Sequence, residues 1–265
     1  MIKVLLWDVD GTVLDFLAAE NKAIKKCFEI FNLGTCTDEM IKVYSSINKK
    51  KWEMLERGEK TKPQILVERF EEFFELYNID KNVANKFNDE YQIRLGDTVV
   101  YKDGAKETIE QFEGNYIQCA VTNGTKVAQA KKLNLSGLDQ IFDYIFISED
   151  IGYEKPNVEF FNKVKETIGY YKDEEIMIIG DSLTSDIRGG NNANIKTCFY
   201  NPEHKEINAD VHIDYIIDNF KDLKRILGEW IANKILKNSL NCCKIHDNCG
   251  IMYIQHILWG LHIIC

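Results

Sequence analysis

The sequence has no apolar run long enough to cross a bilayer, no excess of positive charge and no standard zinc spacing. Each absence removes a class of function. The late apolar stretch, residues 251–264, contains Gln255, His256 and His262 and falls short of the ~20 residues a spanning helix needs. With 33 Lys+Arg against 42 Asp+Glu the formal net charge is −9, and an acidic surface repels a phosphate polymer. Neither a membrane nor a nucleic-acid polymer is therefore expected as a partner. Met1-Ile2-Lys3 leads into only a few apolar residues before Asp8 and Asp10, which is not a secretory leader. The expected location is the cytoplasm, with cysteines as reduced thiols. Cys119 and Cys198 sit inside apolar runs and read as small core filler. The acidic balance still admits a small phosphorylated substrate, because a bound metal and one lysine reverse the field locally.

What is present is an ordinary globular composition, 45% hydrophobic and 28% charged over 265 residues, enough for one large domain or two small ones. Four short apolar runs each end in a polar cluster. Residues 2–7 lead into Asp8-Val9-Asp10-Gly11-Thr12, and residues 116–121 into Thr122-Asn123-Gly124-Thr125. Residues 144–147 lead into Ser148-Glu149-Asp150, and 176–179 into Gly180-Asp181-Ser182. Runs this short, rich in Ile and Val and free of charge, predict buried parallel strands. Helical patterns over 126–135, 158–168 and 183–193 alternate with them, so the expected class is α/β, a doubly wound parallel sheet. A further strand over 213–217 and a helix over 221–227 would close it. Ligands of such sheets bind outside the carboxyl ends of the strands, which is where the polar clusters lie.

Residues 17–97 contain no strand-like run. Ile24, Cys27, Phe28 and Phe31 form one helical stripe, Leu66, Phe70, Phe73, Phe74 and Tyr77 a second, and Val83, Phe87 and Tyr91 a third. Thr61-Lys62-Pro63-Gln64 resembles a capping box. An all-helical domain is thus expected as an insert over 17–97, placed like a lid beside the crevice, with the sheet domain formed by 1–16 and 98–228. Residues 229–265 read as an appendage. Its Cys242-Cys243-x-x-His246-x-x-Cys249 matches no standard zinc pattern.

Taken singly, each polar cluster has a bland reading. Asp8 and Asp10 fit a solvated strand-end turn, Thr122 and Asn123 a helix N-cap, Lys155 a surface lysine, and Asp181 and Asp186 an N-cap and a first-turn acid. All four in this order at strand ends resist that explanation. The order Asp-x-Asp-Gly-Thr, Thr-Asn-Gly, Lys-Pro, Gly-Asp-x-x-x-x-Asp resembles the haloacid dehalogenase (HAD) superfamily of phosphohydrolases, and the helical insert resembles its C1-type cap. Asp15-Phe16, the stretch Ser148-Glu149-Asp150-Ile151-Gly152-Tyr153-Glu154-Lys155-Pro156 and Gly180-Asp181-Ser182-Leu183-Thr184-Ser185-Asp186-Ile187 are similar to the pyrimidine 5′-nucleotidase, or noncanonical pyrimidine nucleotidase, branch.

The resemblance implies Asp8 as nucleophile, forming an aspartyl phosphate, and Asp10 as general acid and base. Crowding by other carboxylates is expected to raise the proton affinity of Asp10. Asp8, Asp181 and the backbone carbonyl of Asp10 are implied ligands of Mg2+. Lys155 would neutralise the transferring group, while Gly11, Thr12, Thr122 and Asn123 orient it. Asp186 and Ser182 would stand behind these groups. The second aspartate, Asp10, favours phosphoryl transfer over dehalogenation. Phe16, Tyr44 and Trp52 are candidates to stack on a base, with Phe16 foremost, although cap aromatics more often build the core of their own bundle. The expected substrate is a nucleoside 5′-monophosphate, and the chain a monomer or homodimer. A sugar-phosphate or phosphoglycolate phosphatase, a phosphomutase, and a non-catalytic phosphate-binding protein stand as alternatives.

Overall fold

Val4-Leu5-Leu6-Trp7 has no polar side chain to show to water. In the structure, a computed structural model describing residues 1–227, this run is a wholly buried strand inside a six-stranded sheet. The strands are β1 (Val4–Trp7), β2 (Ile117–Thr122), β3 (Tyr144–Ile147), β4 (Ile176–Gly180), β5 (Lys196–Tyr200) and β6 (Tyr215–Ile217). Their order is β3-β2-β1-β4-β5-β6 and every neighbouring pair is parallel. Trp7 lies level with Ala120 on one side and Ile179 on the other, so the residues that follow these strands emerge along one edge. The chain moves outward from β1 through β2 to β3 and then returns to β4 on the other side of β1. The reversal leaves a crevice between β1 and β4.

The first four helices of the long excursion between β1 and β2 pack together: α1 (Phe16–Ile30), α2 (Asp38–Glu56), α3 (Lys62–Leu76) and α4 (Ala84–Leu95). They share a core in which Phe28, Phe70, Phe73, Phe74 and Phe87 are fully buried. Each such ring contributes about 1.5–3 kcal/mol by leaving water. Tyr44 belongs to this core, stacked on Phe70 with ring centroids 5.1 Å apart, and is not available to a ligand. Asp15 starts α1 by accepting from the Ala18 N–H at 3.1 Å. The Gln64 side chain accepts from the Thr61 N–H at 2.9 Å and so caps the start of α3.

The sheet is covered by α5 (Ala105–Phe112), α6 (Lys126–Ser136), α7 (Ser148–Ile151), α8 (Val158–Ile168) and α9 (Arg188–Asn192). One element departs from expectation. The stretch 183–193 is not a single α-helix: Leu183–Ile187 winds as a wide π-type turn before α9. The cause is local. Ser182 Oγ accepts from the Ser185 N–H, and the Asp186 carboxylate folds back onto the Ser182 N–H at 3.1 Å. Gly180 makes this possible, because a Cβ there would overlap the Asp186 carboxylate. The chain turns helical again from Phe220, whose ring stacks on Tyr200 at 4.7 Å. One compact unit covers Met1–Leu223. Among the described residues no helix is long and apolar enough to cross a membrane. The Cys- and His-rich stretch 233–265, with Cys242, Cys243, His246 and Cys249, lies outside the described residues.

Candidate active site

The turn after β1 is closed by its own backbone. Val13 and Leu14 both donate to the Val9 carbonyl, and Gly11 donates to that of Leu14. Gly11 has φ of 101°, a conformation that side chains resist, and a Cβ on it would stand 2.6 Å from an Asp181 carboxylate oxygen. Glycine at this position therefore lets the β4 edge approach the β1 edge. Asp8, Asp181 and Asp186 each offer an oxygen, and the three lie within 4.8 Å of one another.

Lys155 sits among them, 1% exposed. Its Nζ donates to Asp8 Oδ1 at 2.8 Å, to Asp186 Oδ1 at 2.7 Å and to the Val121 carbonyl at 2.8 Å, using all three N–H bonds. Burial alone would lower its proton affinity, but Asp186 and Asp8 more than offset this and its pKa is raised. Its backbone is held by Asn123, which accepts from the Lys155 N–H at 2.8 Å and donates to the Lys155 carbonyl at 2.8 Å. The Asn123 amide thus positions the lysine, a role that spacing alone did not suggest. Thr122 Oγ1 accepts from the Gly124 N–H at 3.0 Å, and both residues line the crevice.

Thr12, fully buried, donates towards Asp8 Oδ2 at 2.9 Å and Asp181 Oδ1 at 3.2 Å. Its hydroxyl serves the carboxylates directly, whereas the sequence reading gave it to the substrate. Burial pushes the Asp8 carboxyl well above its ordinary range, with Asp186 and Asp181 adding to the rise and Lys155 opposing it. Asp181 is pushed up to about 6, first by burial and then by Asp186. Asp186 holds Lys155 with one oxygen and the Ser182 N–H with the other.

Asp10 departs from expectation. It is not crowded by carboxylates. Its Oδ1 accepts from Lys132 Nζ at 2.6 Å and its Oδ2 from Gln129 Nε2 at 2.5 Å. The carboxylate crowding falls on Asp8 and Asp181, which face each other across the strand ends. Lys132 also lies over the Phe16 ring, 5.4 Å from its centroid.

A cavity of about 1000 Å3 opens above these groups. Asp8, Asp10, Lys155 and Asp181 line its floor, and Phe16, Glu20, Trp52 and Glu56 face them from the inserted helices. Phe16 and Trp52 thus reach the cavity where Tyr44 does not. Glu56, at the end of α2, accepts from Thr184 Oγ1 in the turn after β4, and burial pushes its carboxyl up to about 7. Glu56, Glu20, Gln129 and Lys132 were not anticipated from the sequence.

The donor set fits a divalent cation. Three carboxylates against one ammonium leave two negative charges in a buried space, and all the donors are hard oxygens of the kind Mg2+ prefers.

The sequence profile of haloacid dehalogenase-like hydrolases matches residues 5–200. The chain is 34% identical to the pyrimidine 5′-nucleotidase PynA of Streptococcus pneumoniae over 88% of this chain and 98% of that one. It is 27% identical to the pyrimidine 5′-nucleotidase YjjG of Escherichia coli, over 84% of this chain and 96% of that protein. Among solved structures it is similar to HAD-hydrolase YfnB of Bacillus subtilis, described as bound to magnesium and as revealing interdomain movement. The TM-score is 0.81 and the identity 36%, covering 85% of this chain and 98% of that one.

Proposed function

The chain belongs to the haloacid dehalogenase-like hydrolase family, and we propose that it is a Mg2+-dependent phosphomonoesterase that forms an aspartyl phosphate on Asp8 and favours pyrimidine nucleoside 5′-monophosphates. The observation that carries this reading is the convergence of Asp8, Asp181 and Asp186 on Lys155 at the ends of β1 and β4, under a cavity large enough for a nucleotide. A protein that merely bound phosphate would gain nothing from burying three carboxylates, which repel the ligand.

Asp8, Asp181 and the Asp10 carbonyl would hold Mg2+, which would supply charge neutralisation at the phosphoryl oxygens. Asp8 attacks phosphorus, and the bond to the leaving oxygen breaks as that oxygen takes a proton from Asp10. Water then attacks the aspartyl phosphate while Asp10 takes its proton, which restores both side chains. Lys155 offsets charge on the transferring group and keeps Asp8 aligned by the 2.8 Å hydrogen bond to Oδ1. Asn123 acts one step removed, by fixing the Lys155 backbone. Gly11, Thr122 and the neighbouring backbone amides orient the phosphoryl oxygens. Ser182 keeps Asp186 turned towards Lys155.

The pyrimidine preference rests on PynA and YjjG, named pyrimidine 5′-nucleotidases. Phe16 and Trp52 supply aromatic faces in the cavity for a base. The inserted helices act as the cap, and the chain works as a monomer or homodimer. The test is phosphate release from UMP, dUMP and dTMP against sugar phosphates and phosphoglycolate, with Mg2+ and with EDTA. Turnover of the nucleotides that EDTA abolishes is the expected result. Much faster release from sugar phosphates would defeat the nucleotidase assignment, and activity that survives chelation would defeat the metal assignment.

A further inference from the structure

Lys132 occupies a position where a lysine is rarely stable. Its side chain is 1% exposed on α6, and burying an ammonium group costs several kcal/mol unless it is paired. The acid it pairs with is Asp10, at 2.6 Å, and Gln129 on the same face of α6 takes the other Asp10 oxygen at 2.5 Å. The carboxylate is therefore gripped at both oxygens, which sets both its position and its plane.

The helix that supplies the grip is itself anchored. Thr125 Oγ1, at the start of α6, donates to Gln92 Oε1 at 2.7 Å, and Gln92 donates to Asn88 at 3.1 Å. Arg69 donates to Asn88 at 3.0 Å and to Asn48 at 2.8 Å, and Asn48 donates to Glu20 at 2.9 Å. This chain of buried polar groups crosses the inserted helices and ends at the cavity wall, where Glu20 stands. Such networks are rigid when every member is satisfied.

Resting on the phosphatase reading above, we propose that Lys132, together with Gln129, is the positioning residue for Asp10, aiming its carboxyl at the leaving oxygen. In the step concerned the phosphorus–oxygen bond to the leaving group breaks and its electron pair stays on that oxygen. The Asp10 proton moves to the same oxygen, and Asp10 is left as a carboxylate facing the Lys132 ammonium. The water that attacks the aspartyl phosphate returns a proton to Asp10. The benefit of Lys132 then scales with the basicity of the leaving oxygen. An alkoxide such as a nucleoside 5′-oxygen needs the proton, and a nitrophenolate does not.

The test compares kcat/KM for UMP and for p-nitrophenyl phosphate in the full-length wild type, Lys132→Met, Lys132→Arg and Gln129→Leu. This parameter covers steps up to departure of the leaving group, so shared hydrolysis of the phosphoenzyme does not mask the effect. General acid catalysis is worth about 10²–10⁴-fold, so the ratio of UMP to aryl phosphate is expected to fall by at least about 30-fold in Lys132→Met. Lys132→Arg, which keeps the charge, should recover most of the ratio. Gln129→Leu removes no buried charge and is expected to lower the ratio by about tenfold, which decides the matter should Lys132→Met not fold. Equal losses on both substrates in these variants would mean a structural role and overturn the proposal. A wild type that cleaves neither ester would instead overturn the phosphatase reading, and this inference with it.

Discussion

Replacing Glu56 by glutamine isolates one titration that the fold imposes. Glu56 ends α2, and its carboxylate accepts from Thr184 Oγ1 in the turn after β4. Burial raises its pKa from 4.5 to about 7; the Thr184 hydrogen bond and Lys155 oppose the rise and Asp186 adds to it. The native protein therefore holds this proton more tightly than the unfolded chain does. Between pH 4.5 and about 7 the native state binds more protons, so its stability falls as pH rises through that window. At 1.36 kcal/mol per unit the full loss is about 3 kcal/mol, or roughly 2 kcal/mol once water in the open cavity is allowed for. Glutamine keeps the shape and a hydrogen bond to Thr184 but does not titrate. Urea denaturation of metal-free protein at pH 5 and pH 8 should show wild type losing about 2 kcal/mol more than Glu56→Gln between the two. A difference between the proteins that stays constant with pH would refute the reasoning.

Asp8→Asn should abolish phosphate release yet raise stability at pH 7, because it removes a buried carboxyl already pushed well above its ordinary range; thermal melting and phosphate release measured on one sample check both halves. Lys155→Met leaves Asp8 and Asp186 facing each other without their shared cation. It should destabilise the fold by about 3–5 kcal/mol at pH 8 and by less at pH 5, where the acids can take up protons, as read by denaturant titration. Asp181, with its pKa pushed up to about 6, must lose a proton to take up Mg2+ in acid. The apparent affinity for Mg2+ by calorimetry should therefore fall by about fivefold from pH 6 to pH 5 through this group alone.

The catalytic frame was legible because each motif follows a strand that declares itself. Tyr144–Ile147 and Val158–Ile168 have the bounds their patterns predict. Strand β5 was missed because Lys196-Thr197 breaks its apolar run, and Thr197 is buried with its polar groups bonded to Asp214 and the His212 carbonyl. Helix α2 was missed because Lys49, Lys50 and Lys51 interrupt the stripe of Ile41, Tyr44, Ile47 and Leu55. The motif members Asp8, Lys155, Asp181 and Asp186 are brought together, as their common place at strand ends implies. Their partners Lys132, Gln129 and Glu56 lie on helix faces, where polar residues ordinarily meet water, so only tertiary packing reveals them. The environment of Asp10 was misjudged for that reason: a lysine from α6 answers it, and no acid does.

The most direct measurement quenches the enzyme in acid during turnover of a labelled phosphomonoester with Mg2+ and maps the label by peptide mass spectrometry. The account predicts one phosphoryl group on the peptide carrying Asp8, absent from Asp8→Asn. Steady turnover by wild type with the label on another residue, or with no covalent label at any quench time, would contradict it.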